Sequence, residues 1–373
     1  MKFRWLLGVF ILVALGLLIA CSSSNITNST TVASMLFTSL GDQSIESWQV
    51  NLSNGLITQV GSEVPVGANS TPVAVKFAPD GKAAFVVNRG VPPSGTDNIA
   101  SFTVNDDGSV SAGANVASGG VNPVAEAIDP TGKFLFVANQ GNGGISGTST
   151  ISVYTISGST VTFSANFPTD DFASGIAVSP IANFVYVTNT IGSQPLLQGE
   201  VTQYSYDPTT GALSKVNTYL AGTTPSGIAI APKGLYLYVS NFGSNNVSGF
   251  MVATDGTLSP TFNSPYAAGI GPRAMVADPV ENFLFVADYT SNQISPYKIT
   301  SASGVLTALA PAAVSTGMTP VDIAIDPTGV YVYTANLAAA SLSGFHVNST
   351  TGALGPIQSP FTTPGQPSAI ALH

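Results

Sequence analysis

Short apolar runs of five to seven residues follow one another along almost the whole chain, each closed by Gly, Pro, Asn, Asp or Ser. Runs of this length between turn residues read as β-strands. The clearest copy of the pattern covers 320–329, 330–336, 342–347 and 351–354, and it predicts four strands in succession. Its second strand ends in an Asn-type residue, and so do those of the other copies. Ser39, Asn88, Asn139, Asn189, Asn241, Asp288 and Asn336 succeed one another at intervals of 47 to 52 residues. A strand-rich period near 50 predicts a seven-bladed β-propeller of four-stranded antiparallel blades, one blade per copy.

Within a blade, the first two strands are joined by a tight turn such as Asp129-Pro130-Thr131-Gly132, where Pro fixes φ and Gly ends the turn. The Asp residues there read as turn makers. The third strand carries one aromatic per copy: Trp48, Phe102, Tyr154, Tyr204, Phe250, Tyr297 and Phe345. Seven aromatics at one position predict packing between neighbouring blades. The Asn column is expected to bond backbone in the loop after strand two. The first copy, from Met35, lacks an innermost strand, whereas 367–372 is an innermost strand with nothing after it. Joining the two closes the ring and hides an otherwise unpaired edge.

A repeat supplies its own control, and four positions on the innermost strands break their columns. Glu126 stands among Val75, Ile176, Ile228, Met275, Ile323 and Ile370. Asp322, Arg273 and Lys76 are likewise the only charges in theirs. A charge beside the propeller axis is costly unless paired or hydrated. Two readings follow: internal salt bridges or a water-filled channel, and a polar ligand pocket at the channel mouth.

Charge is sparse, with 10 Lys+Arg against 19 Asp+Glu and a net charge of −9. Nothing in this balance neutralises a phosphate backbone, so nucleic acid is excluded as a partner. Residues 1–20 read as a secretory signal, with Lys2 and Arg4 ahead of an apolar run and Leu18-Ile19-Ala20 before Cys21. This resembles the bacterial lipoprotein signal. That resemblance implies lipidation of Cys21, a polar tether over 21–34, a propeller over 35–373, and an exported protein anchored to a membrane, facing periplasm or cell surface. Cys21 is the only cysteine, so the folded part has no disulfide framework. The two histidines, His346 and His373, have no metal-ligand spacing, and Asp170-Asp171 reads as a solvated turn; neither metal nor cofactor is expected. A monomer is expected.

Segments such as 129–139 and Asn183-Phe184-Val185-Tyr186-Val187-Thr188-Asn189 are similar to the YVTN-type propeller repeat. The nearest family resemblance is to the seven-bladed lactonase group, which includes 6-phosphogluconolactonase and the muconate cycloisomerases. Gly271-Pro272-Arg273 matches that group's Gly-Pro-Arg-His, but Ala274 stands where the histidine would be. The resemblance implies a lactone hydrolase with Glu126 as base and Arg273 as stabiliser of the oxyanion. Arg89 reads as a loop residue outside that set. The first expectation is therefore a non-catalytic envelope module binding a protein, glycan or small molecule at the channel mouth. The alternative is an exported lactonase with an altered site.

Overall fold

In a computed structural model, which describes residues 32–90, 96–142, 145–190 and 198–373, seven antiparallel sheets are formed and no helix. Cys21 and the leader lie outside the described residues. Numbering blades along the ring, the innermost strands are Pro367–Leu372 in blade 1, Ser70–Phe77 in blade 2 and Pro123–Ile128 in blade 3. They continue as Ala173–Val178, Pro225–Ile230, Pro272–Ala277 and Pro320–Ile325 in blades 4 to 7. In blades 1, 5, 6 and 7 the outer strand is split into two short pieces, both paired with strand three.

Closure follows the chain ends as expected. Pro367–Leu372 pairs antiparallel with Val32–Ser39, setting Ile370 opposite Phe37 and Leu372 opposite Met35. Ser34 and His373 exchange backbone hydrogen bonds of 2.8 and 2.9 Å. A second tie comes from Tyr333 in blade 7, whose hydroxyl donates to the Gly55 carbonyl of blade 1 at 2.7 Å. Tyr186 and Tyr238 make the same stitch to Gly256 and Gly304 of the next blade. The core is divided into seven clusters, one between each pair of blades. Each takes one third-strand aromatic, from Phe102 between blades 1 and 2 to Trp48 between blades 7 and 1. These residues pack as their column predicts. The turn aspartates also behave as read: Asp129 accepts from the Lys133 and Phe134 amides at 2.7 and 2.6 Å.

The Asn column differs from expectation. Its residues are structural, but three of them bond side chains across the sheet, on strand three, while Asn88 and Asn189 also donate to the Val66 and Asp170 carbonyls. Asn139 donates to Ser152 Oγ at 2.8 Å, Asn241 to Ser248 Oγ at 2.9 Å and Asn336 to Ser343 Oγ at 2.9 Å. A buried amide at a strand end finds a hydroxyl opposite sooner than a loop. In blade 1 the column instead holds Ser39, and the position taken by those hydroxyls is Glu46. Glu46 is fully buried, with Oε2 accepting from the Trp48 indole at 3.3 Å and Oε1 without a partner.

Burial pushes the Glu46 carboxyl up to about 7, with the Trp48 bond opposing and Glu63 and Asp42 adding to the rise. The folded value lies above the ordinary 4.5, so this group's contribution to stability is intact below that value. It is lost as pH rises through 7. Glu46→Gln, which cannot ionise, is expected to gain roughly 2–3 kcal/mol at pH 8 relative to the parent. At pH 4 it should gain nothing. Urea unfolding at the two pH values checks this; a variant that loses stability at pH 8 would contradict the sign.

Candidate active site

Inner strands pair on one side only, and their free edges surround an axial channel of about 870 Å³. Every inner strand carries a β-bulge, just after its opening residue in six blades and after Pro72 in blade 2, which leaves the bulged residue outside the ladder and re-aims its side chain. Arg273 is the bulged residue of blade 6. Its carbonyl is held by Ser240 Oγ of blade 5 at 2.9 Å. A β-carbon on Gly227 would collide with the same carbonyl, so glycine lets blades 5 and 6 close up here. The guanidinium is exposed and lies 5.3 Å from the centre of the Tyr289 ring.

Counting from the bulge, the four column-breaking charges occupy successive levels: Arg273, Asp322, Glu126, then Lys76. At ~3.3 Å per residue, the first and last are about 10 Å apart along the axis. Around the ring, they fall on one arc. Lys76 is on blade 2, Glu126 on blade 3, Arg273 on blade 6 and Asp322 on blade 7; the inner strands of blades 1, 4 and 5 hold no charge, with blade 1 between the two charged pairs. All four line the channel, and none is ion-paired. Among the described residues the two ion pairs, Lys215–Asp170 and Lys233–Glu281, lie elsewhere.

Their local chemistry differs. Asp322 uses its oxygens on backbone: Oδ1 accepts from the Ile323 amide at 2.9 Å and Oδ2 from the Ile370 amide at 2.9 Å. It staples blade 7 to the closing strand. Burial still raises its carboxyl, against the pull of Lys76, those two amides and Arg273. Glu126 is the contrasting case. It is 3% exposed and neither carboxylate oxygen has a hydrogen-bond partner. Burial among aliphatic neighbours pushes its carboxyl well above the ordinary value, and Lys76 is the charge that opposes the rise. The sequence reading paired Glu126 with Arg273. In the structure the charge acting on Glu126 is Lys76 on the adjacent blade, and Asp322 feels Lys76 first and Arg273 less.

One residue requires correction and one column was missed. Arg89 is not in a loop; it ends the second strand of blade 2, Ala83–Gly90, and lines the channel. It is half-buried, and its Nε has no acceptor. Burial lowers its pKa, Asp97 opposes that, and Arg273 adds to it, so two guanidiniums act on each other at this mouth. Asp97 offers little relief, because its oxygens accept from the Gly90 and Asn122 amides at 2.8 and 2.9 Å. Arg89 belongs to a rim built from the residue after each Asn-column position: Leu40, Arg89, Gln140, Thr190, Phe242, Tyr289 and Leu337. Shifting the column comparison by one residue would have found it. At the opposite mouth, His373 packs on Phe77 with ring centres 5.6 Å apart and contacts the Pro79 carbonyl at 3.2 Å. His346 is exposed on the outer face, as expected.

A closed ring of seven sheets around a channel holding a recessed, unpartnered carboxyl defines the class: a seven-bladed propeller with an axial site. The chain matches the family model described as a lactonase, seven-bladed β-propeller, over residues 40–160 and 147–317. It belongs to that lactonase-type propeller family. No curated protein matches the chain significantly. Among solved structures, a candidate 6-phosphogluconolactonase from Bacteroides fragilis superimposes with a TM-score of 0.79 at 17% identity, covering 93% of this chain and 99% of that one. The periplasmic gluconolactonase of Pseudomonas aeruginosa gives 0.76 at 18% identity, covering 92% and 99%. At such identities these likenesses show the fold alone. Family membership favours the lactonase-like reading over the non-catalytic module that the sequence suggested first.

Proposed function

We propose that the protein hydrolyses a lactone bound in the axial channel, with Glu126 as general base. The observation that carries this reading is the Glu126 carboxyl: recessed in the channel wall, free of hydrogen-bond partners, and next to a single cation. A base must be within reach of the water that it activates and must not be spent on the protein's own amides. Asp322 fails that second condition and Glu126 meets it. Water oxygen attacks the lactone carbonyl while its proton passes to Glu126. The resulting oxyanion collapses, the ring C–O bond breaks, and the proton returns from Glu126 to the departing alkoxide. Lys76 supplies positive charge beside this step, and Arg273 with Arg89 draws the electron-rich ligand in at the mouth.

The experiment is hydrolysis by the purified protein of a panel of five- and six-membered lactones, followed by proton release. Turnover above the buffer rate on at least one member is the expected result. A panel without turnover would sink this reading.

A further inference from the structure

We infer that the lactone taken by this channel carries a hydrocarbon arm, and that the arm rests on an apolar crescent at the Arg89–Arg273 mouth. This rests on the lactonase reading and adds the class of substrate to it. The rim divides in two. Blades 2, 3 and 4 contribute Arg89, Gln140 and Thr190, whereas blades 5, 6, 7 and 1 contribute Phe242, Tyr289, Leu337 and Leu40 in unbroken order. None of these four apolar rim residues is fully buried. Phe242 and Tyr289 lie with ring centres 6.1 Å apart.

Two further residues widen the crescent. Ile270 and Met318 are each 57% exposed. They sit in the segments that lead into the inner strands of blades 6 and 7. Backbone bonds fix those segments against the rim: the Tyr289 amide donates to the Gly271 carbonyl at 2.9 Å and the Leu337 amide to the Thr319 carbonyl at 3.0 Å. The four rim residues are half-buried, Tyr289 and Leu337 packing against the cluster between blades 7 and 1, and with exposed Ile270 and Met318 they form a run of hydrocarbon that meets solvent beside the channel. Such a run marks the place for an apolar part of the ligand. Inside, the uncharged inner strands of blades 4 and 5 extend an apolar side downward, with Ile228 half-buried beside the channel. Blades 2 and 3, next to that side, keep Lys76 and Glu126 for the polar ring. A densely hydroxylated or phosphorylated lactone without such an arm would leave the crescent against water.

The test separates the arm from the chemistry. Binding of non-hydrolysable γ-lactams with butyl, hexyl and octyl chains is measured by calorimetry on the purified full chain. Hydrolysis of the matching alkyl lactones, of glucono-δ-lactone and of its 6-phosphate is measured in parallel. Each added CH2 buried on the crescent should tighten lactam binding by up to about fourfold. Ile270→Ser with Met318→Ser, each 57% exposed, should weaken that dependence while leaving the melting temperature near the parent's. The chain-length series on the parent decides the matter even if the double variant fails to fold. Rising affinity with turnover of alkyl lactones supports both proposals. Rising affinity without any turnover keeps the ligand class and removes the lactonase reading. Turnover of the gluconolactones with a flat lactam series keeps the lactonase reading and overturns the hydrocarbon arm. A flat series without turnover overturns both.

Discussion

Deleting residues 367–373 is expected to cost most of the ring's stability, although the segment is terminal and short. Its removal exposes the inner edge of Val32–Ser39, where Met35, Leu36 and Phe37 are fully buried. Ile370 alone, 2% exposed, is worth about 1.5–3 kcal/mol of burial. The Ile370 amide is also a partner of Asp322, so the deletion strips a buried carboxylate of a hydrogen bond, at roughly 1–3 kcal/mol or more. The bonds between Ser368 and Thr38 and between His373 and Ser34 go as well. A typical domain has only about 5–15 kcal/mol in hand. Thermal melting should show a large drop or no cooperative transition. A truncated protein melting with the full-length one would mean that Tyr333–Gly55 and the cluster between blades 7 and 1 close the ring unaided.

The second large effect concerns chemistry. Glu126→Gln keeps the shape of the side chain and removes its ability to take a proton. On the proposed mechanism kcat should fall by about 10²–10⁴-fold, the usual contribution of a positioned base. Stability should match the parent's in acid and exceed it at alkaline pH, where only the parent carries a buried carboxylate. The pH profile gives an independent check. Burial raises the Glu126 carboxyl well above its ordinary value, and only the ionised form can act as base. Rate should therefore be low in acid and climb with pH through that raised value. Lys76 opposes the rise, so Lys76→Met should move the climb to still higher pH, whereas a merely structural lysine would change the rate without moving the profile. An Glu126→Gln enzyme with the parent's rate and profile would remove Glu126 from the mechanism.

Much of this architecture is legible along the chain because a propeller writes its geometry as a period. The blade number, the third-strand aromatics and the tail that completes blade 1 each follow from what recurs and what is missing. The channel charges are legible for the same reason: Glu126 is conspicuous among six aliphatic residues. What a column cannot tell is which charges meet. Neighbours around the axis are about 50 residues apart, and the successive heights of Arg273, Asp322, Glu126 and Lys76 depend on the bulge near the start of every inner strand. That is why the charge acting on Glu126 is Lys76 rather than Arg273. Asp322 could not be recognised as a staple either, since its second partner is an amide of the neighbouring blade. Arg89 was passed over because the comparison followed inner strands, whereas the rim is built from the ends of the second ones. Glu46 follows the same lesson: it replaces a hydroxyl in a third-strand column that had been inspected only for its aromatic.

The uneven distribution of charge around the axis has a stereochemical consequence. With Glu126 and Lys76 on blades 3 and 2 and the apolar rim centred across the axis on blades 6 and 7, a ring bearing a substituent at an asymmetric carbon seats its carbonyl by the base better in one handedness. Its mirror image must turn either the carbonyl or the substituent the wrong way. From a racemic mixture, the unreacted material should grow optically active as hydrolysis proceeds.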